Sequence, residues 1–217
     1  FSMNFIIFFT VFGILFLGEL GDKSQLIIFN LVLEMDTKPY KIGIGASLGF
    51  AAIITLGIIF GNLILQFIPV TIIAIVSGCV FIIIGVIETR NLKNLYYEMK
   101  NPVGNAKKIE KKESSENYTK IETFEKFRKN PYVAGFFSIF IMELGDKTQI
   151  LTISLASLYA APFEVWLGSF IALSGLVWIG ISFGAIILKY IPKFYIKVIA
   201  ILVFIIIGIV VIISNLI

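Results

Sequence analysis

The sequence has no histidine and one cysteine, Cys79. Without histidine, the chain lacks the commonest metal ligand and the usual proton carrier near neutral pH. A single cysteine can neither close an internal disulfide nor build a thiolate metal cluster. Cys79 is therefore expected to serve as core packing in an apolar span. Charge is scarce as well: Asp, Glu, Lys and Arg make up 15% of the 217 residues, while 58% are hydrophobic. A soluble domain carries about 25% charge. That shortfall, with a mean hydropathy of +0.97, points to an all-α integral membrane protein. The opening FSMNFIIFF has no positive region of the kind that begins a secretory leader, and Phe1-Ser2 precede a Met at position 3. Proton or metal chemistry falls to carboxylates, amides, hydroxyls and backbone carbonyls. No nucleic-acid partner and no cofactor are expected.

Six apolar runs are present, at Phe5–Leu33, Ile42–Gln66, Val70–Ile87, Tyr132–Tyr159, Val165–Leu188 and Ile196–Ile217. A bilayer core about 30 Å thick needs about 20 helical residues, which most of the runs supply. The first and fourth are longer. A helix of about 28 residues would extend roughly 42 Å, so these two are either strongly tilted or broken.

Near the centre of each long run stands a charged heptapeptide, ELGDKSQ at Glu19–Gln25 and ELGDKTQ at Glu143–Gln149. The halves repeat around them. The heptapeptides match at an offset of 124, and further on Gly45 pairs with Gly168, Gly57 with Gly180, Gly61 with Gly184 and Pro69 with Pro192 at 123. The run FIIIG at Phe81–Gly85 recurs at Phe204–Gly208. Three spans per copy is an odd number, so the second copy enters from the opposite side. The expected architecture is six transmembrane helices in two inverted-topology three-helix repeats, residues 1–87 and 131–217, joined by a charged linker at 88–130. Transporters of this layout place their site at the midplane between the halves.

The linker carries 11 basic and 7 acidic residues and accounts for the net charge of +4. It reads as a flexible tether. Ile121, Phe124 and Phe127 hint at a short surface helix, and Asn117-Tyr118-Thr119 matches a glycosylation acceptor formally. If the spans alternate, Lys38, Lys41, the linker and Lys189, Lys193 and Lys197 share one side, while the other side has no basic residue. The positive-inside rule then makes the linker cytoplasmic and puts both termini outside, which would leave the acceptor silent.

Each charge at a helix centre costs about 2.5–3.5 kcal/mol on insertion scales, so six of them must face protein or water. On a continuous helix Glu19, Asp22 and Lys23 share one face, as do Glu143, Asp146 and Lys147. The plain structural explanation is a Glu–Lys pair within each helix, with Lys23 and Lys147 balancing charge. It leaves Asp22 and Asp146 uncompensated, a residual of −2 that suits one divalent cation or two protons. The metal ligands are expected to be Glu19, Asp22, Glu143 and Asp146, joined by Gln25 and Gln149. Ser24 and Thr148 are weaker candidates, Ser24 pointing off the acidic face unless the helix breaks at Gly21. Oxygen ligands favour Ca²⁺, Mn²⁺ and Mg²⁺, and Mg²⁺ gives up its water reluctantly. Crowded buried carboxylates hold protons when no cation is bound, so competition between the two at one site suffices for exchange.

The doubled E-x-G-D-K/R-S/T pattern, at Glu19–Ser24 and Glu143–Thr148, resembles that of the Golgi-type Ca²⁺/Mn²⁺–proton exchangers and their prokaryotic manganese exporters, placed in the lysine-exporter superfamily. The resemblance extends over all six spans. It implies cation export in exchange for protons, or for Na⁺, with the motif acids as ligands. The absence of a long N-terminal extension implies a prokaryotic plasma-membrane member. Partners would then be the bilayer, the transported metal ion and protons.

Three other functions compete. A cation channel would use the acids as a selectivity ring, and an amino-acid exporter could meet substrate carboxylates with its two lysines. An intramembrane aspartyl protease would need a glycine-x-glycine-aspartate pattern that Glu19-Leu20-Gly21-Asp22 does not supply. No enzyme is expected. Met142 is assigned to packing, Glu34 and Glu164 to solvated span ends, and Trp166 and Trp178 to lipid-interface or packing positions.

Overall fold

The computed structural model describes residues 3–20, 22, 24, 27–28, 31–32, 35, 37–100, 130–190 and 193–216. Lys23, Gln25, Glu34, the Ile121–Phe127 stripe and the Asn117 acceptor lie outside the described residues. Every regular element among those described is helical: α1 Phe5–Glu19, α2 Pro39–Phe67, α3 Val70–Lys100, α4 Pro131–Glu143, α5 Lys147–Tyr159, α6 Pro162–Tyr190 and α7 Lys193–Leu216. Asn4 and Asn130 cap α1 and α4 through their side chains, and Pro39 and Pro131 take first-turn positions where a missing N–H costs nothing.

Four stretches, Pro39–Phe67, Val70–Arg90, Pro162–Ser182 and Lys197–Ser214, are long and apolar enough to cross a membrane, while α1 and α4 are shorter apolar helices. The outward surface is apolar. Along α7, Ile199, Leu202, Ile206, Val210 and Ile213 are exposed at helical spacing, while Ala200, Ile201, Phe204 and Val211 are buried. Such a continuous exposed apolar stripe suits lipid rather than water. Cys79 faces outward too, which corrects its expected place in the core. The buried face of α3 runs through Ile73, Ala74, Ser77, Phe81 and Ile84, and position 79 falls outside that phase.

The long fourth run is broken. α4 ends at Glu143 and α5 starts at Lys147, yet both continue in one direction alongside α2. Gly45 and Gly49 of α2 press on the α4 backbone at Tyr132 and Phe136, and Gly57 and Gly61 lie against Thr152, Ile153 and Ala156 of α5. In the first run α1 also stops at Glu19, with Ser24, Ile27, Ile28, Leu31 and Val32 helical beyond it. α3 continues through Lys100, past the Ile87 limit of its apolar run.

Neighbouring helices pair across the halves. α1 runs parallel to α6, with Asn4 N donating to Glu164 Oε1 at 3.2 Å and Gly168 against Phe8 and Phe12. α2 runs antiparallel to α6, with Gly43 near Trp178 and Ile181 and Thr55 accepting from Trp166 Nε1 at 3.0 Å. α3 and α7 are antiparallel. Phe81 stacks on Phe204 with centroids 6.4 Å apart, and Gly78 and Gly208 meet through their backbones. Core side chains from both halves, including Val11, Leu15, Ile42, Phe50, Phe81, Leu151, Leu173 and Phe204, form one continuous cluster.

Candidate functional site

Both charged motifs fold as a helix end followed by a turn. In the second, Asp146 N donates to Glu143 O at 3.1 Å; in the first, Asp22 N donates to Glu19 O at the same distance. Leu20 (φ −62°, ψ 121°) and Leu144 (φ −68°, ψ 109°) are both extended. Gly145 follows at φ +84°, as the third residue of a type II turn requires, a position that favours glycine. The expected single face carrying all three charges therefore does not form in the second motif. Glu143 closes α4, while Lys147 opens α5 from the far side of the turn.

The turn gives each motif residue its own task. Asp146 is exposed at the α5 N-cap, its Oδ1 accepting from Lys147 N at 2.7 Å. A carboxylate there also complements the positive end of the helix. Gln149 Oε1 folds back to accept from Gly145 N at 2.7 Å, which bridges the turn. Glu19 and Glu143, the last residues of α1 and α4, are both buried.

Lys147 then reaches into the other half of the molecule. Its ammonium forms an ion pair with Asp22, lies 3.6 Å from Glu19 Oε1 and 3.1 Å from Glu88 Oε1, and donates to the Gly18 carbonyl at 3.1 Å. That carbonyl belongs to the last turn of α1, where backbone oxygens lack intrahelical partners and a cation is favoured. The expected Glu–Lys pair within one helix is thus replaced by pairs across the halves, because the break separates Glu143 from Lys147. Thr148 Oγ1 donates to Glu19 Oε1 at 3.0 Å, and its side chain also interacts with the Glu143 carboxyl. One hydroxyl carries one proton. Glu143 Oε2 is buried with no hydrogen-bond partner among the described residues.

Glu19, Asp22, Glu143, Lys147 and Thr148 therefore converge, Ser24 is buried nearby in sequence, and Asp146 and Gln149 build the turn that carries them. Among the described residues no three acidic side chains are grouped as a metal cage, and the Lys147 ammonium stands between the acids of the first motif and Glu88. Glu88, expected in the linker, instead belongs to α3 and joins this cluster. On α3, Phe81, Ile84 and Glu88 follow the spacing of one helix face, and that phase is the signal that would have found it. Glu88 Oε2 also pairs with Lys197 Nζ of α7 at 2.9 Å.

A family described as divalent cation/proton antiporter GDT1 matches the chain over residues 7–94 and 131–216, so both motifs lie within the matched segments. No match is found among curated proteins or among solved structures.

Proposed function

The chain belongs to the GDT1 family of divalent cation/proton antiporters, and from that premise we propose that it exports Mn²⁺ or Ca²⁺ in exchange for protons through one site made by both motifs. It is an integral membrane transporter, with four helices long and apolar enough to span a bilayer. The observation that carries the proposal is the meeting of Lys147 and Thr148 from the second motif with Asp22 and Glu19 from the first. Residues more than a hundred positions apart bring their charges together where α1 and α4 end, and backbone carbonyls at such helix ends can join a cation's ligands.

Glu19, Asp22, Glu143 and Asp146 are the proposed ligand acids, with Gln149 and Thr148 as neutral oxygen donors; Gln25 and Ser24 would take the corresponding roles in the first motif. All are hard donors, which favours Ca²⁺ and Mn²⁺. The Lys147 ammonium holds oxygens that a divalent cation needs, so the two compete for the first motif. Protons compete for the same carboxylates, and that competition supplies the coupling.

Inverted topology is part of the same proposal. Gly45 packs on Tyr132 and Phe136 in the way Gly168 packs on Phe8 and Phe12, and the two sets are related by the sequence repeat. α1 is parallel to α6, α6 antiparallel to α2, and α2 parallel to α4. Corresponding helices of the two halves therefore point in opposite directions, which supports six crossings in two inverted copies. With the basic linker cytoplasmic, both termini would lie outside.

The test is Mn²⁺ and Ca²⁺ flux into proteoliposomes with and without an imposed pH gradient, beside Asp146→Asn. Asn caps a helix about as well as Asp, so this variant removes the charge and keeps the turn. Flux that follows the gradient, moves protons the other way and disappears in the variant supports the exchanger. Metal flux indifferent to the gradient points to a channel or to Na⁺ coupling. Amino-acid efflux without metal flux would replace the proposal.

A further inference from the structure

An ammonium has three protons to donate, and those of Lys147 have three close acceptors: Asp22, the Gly18 carbonyl and Glu88 Oε1. Two of these belong to the first motif and its helix end. The third is outside both motifs, on α3, and is itself shared, because Glu88 Oε2 is 2.9 Å from Lys197 Nζ. Lys147, Glu88 and Lys197 are all largely buried, with side-chain exposures of 13%, 12% and 15%. They form a line of alternating charge from the motif acids towards the end of α3 that leads into the linker and the start of α7.

We propose that Glu88 is a positioning residue, the seat that keeps Lys147 when a divalent cation takes Asp22 and Glu19. The proposal rests on the motif acids being the cation site. A divalent ion on those two carboxylates repels an ammonium held against the same oxygens, so Lys147 must give them up. An ammonium withdrawn into this largely buried place without a carboxylate would be a bare buried charge, which is strongly unfavourable. Glu88 removes that penalty, because it already holds one of the three protons and remains when Asp22 is lost. Lys197 sets how strongly Glu88 pulls. By engaging the second oxygen it orients the carboxylate and shares its charge, so Lys147 rests between the two seats. Glu88 thereby helps determine cation affinity through Lys147, without touching the cation.

The two partners of Glu88 give effects of opposite sign, which a merely structural role would not. Glu88→Gln leaves Lys147 with the motif acids alone and should weaken Mn²⁺ binding roughly tenfold or more, because the binding-competent arrangement becomes rare. Lys197→Gln frees Glu88 to draw Lys147 away and should tighten binding.

Mn²⁺ binding to the purified full-length protein in detergent at alkaline pH tests this directly, with wild type, Glu88→Gln, Lys197→Gln, Lys147→Gln and the Glu88→Gln/Lys147→Gln double variant. The expected outcome is that Glu88→Gln weakens binding only when Lys147 is present, and that Glu88→Asp restores part of the loss. An equal loss with and without Lys147, or no loss at all, overturns the proposal. Should Glu88→Gln fail to fold, Lys197→Gln carries the test, and unchanged or weaker binding there overturns it. Wild-type protein that binds Mn²⁺ without exchanging protons would sink the exchanger mechanism and leave the Glu88 cycle decisive. Wild-type protein that binds no Mn²⁺ would overturn both.

Discussion

Lys147 of the second motif pairs with Asp22 of the first, although Glu143 stands four residues before it. The turn at Leu144–Asp146 explains the choice. On an unbroken helix, residues four apart lie on the same face; here one ends a helix and the other begins the next. The ammonium is released from its local partner and crosses to the other half. The cluster is therefore complete only when both halves are assembled, which ties the chemistry to the packing of α1 against α5.

Asp22→Asn should lower gradient-driven Mn²⁺ or Ca²⁺ flux by about 100-fold, within the range for losing one partner of a close charge contact, here the carboxylate that meets the cation. Insertion and expression should stay intact, since a neutral amide is easier to place inside a membrane than a carboxylate. Flux in proteoliposomes, normalised to inserted protein, makes the comparison. Wild-type rates in both Asp22→Asn and Asp146→Asn would show that these acids are not the site.

Lys147→Gln should move the pH profile of exchange to the alkaline side by about one unit or more, a shift worth about 1.4 kcal/mol per unit. The sign follows from charge. Removing an ammonium from beside carboxylates favours their protonated forms, so a higher pH is needed before the cation can displace the protons. The ratio of Mn²⁺ to Ca²⁺ transport should change less than the profile. An unaltered profile would show that Lys147 has no part in coupling.

The apolar runs made the helices legible, and the repeat made both motifs visible. The break at Glu143-Leu144-Gly145-Asp146 was harder to choose. Its charges fit one helical face as well as a turn. The long-range partner of Lys147 was hidden because local spacing offered a ready one in Glu143. Glu88 was lost for a related reason. Its neighbours Thr89, Arg90 and Asn91 are polar and match the linker in composition, although helical phase from Phe81 and Ile84 places it inside. Pairings between elements depend on how faces meet, and composition along one strand of sequence does not carry that.

Thr148 tests whether the hydroxyl matters to the acids or only to the helix. Thr148→Val keeps the shape and removes one hydrogen-bond donor to Glu19, a bond to a carboxylate worth about 1.5–3 kcal/mol. Lower thermal stability and lower cation affinity should appear together. Thr148→Ser should restore most of both, because it returns the hydroxyl. If valine were neutral in affinity and in unfolding temperature, the bond would carry no weight in the site.

The glycines that let helices of the two halves touch offer a test of the assembly itself. A Cβ at Gly45 would run into the Tyr132 carbonyl, and one at Gly168 would lie 2.9 Å from the Phe8 carbonyl. Backbone cannot swing aside as a side-chain tip can, so each Ala substitution should cost about 1–3 kcal/mol as overpacking. Gly45, with the closer approach, should cost more. Gly13 and Gly175 have nothing within 4 Å of the same added atom, and Ala there should be neutral or slightly stabilising. Thermal unfolding in detergent ranks the four. Equal unfolding temperatures for Gly45→Ala and Gly13→Ala would mean that α2 and α4 do not meet backbone to backbone. The crossed pairing that brings Lys147 to Asp22 would then lose its support.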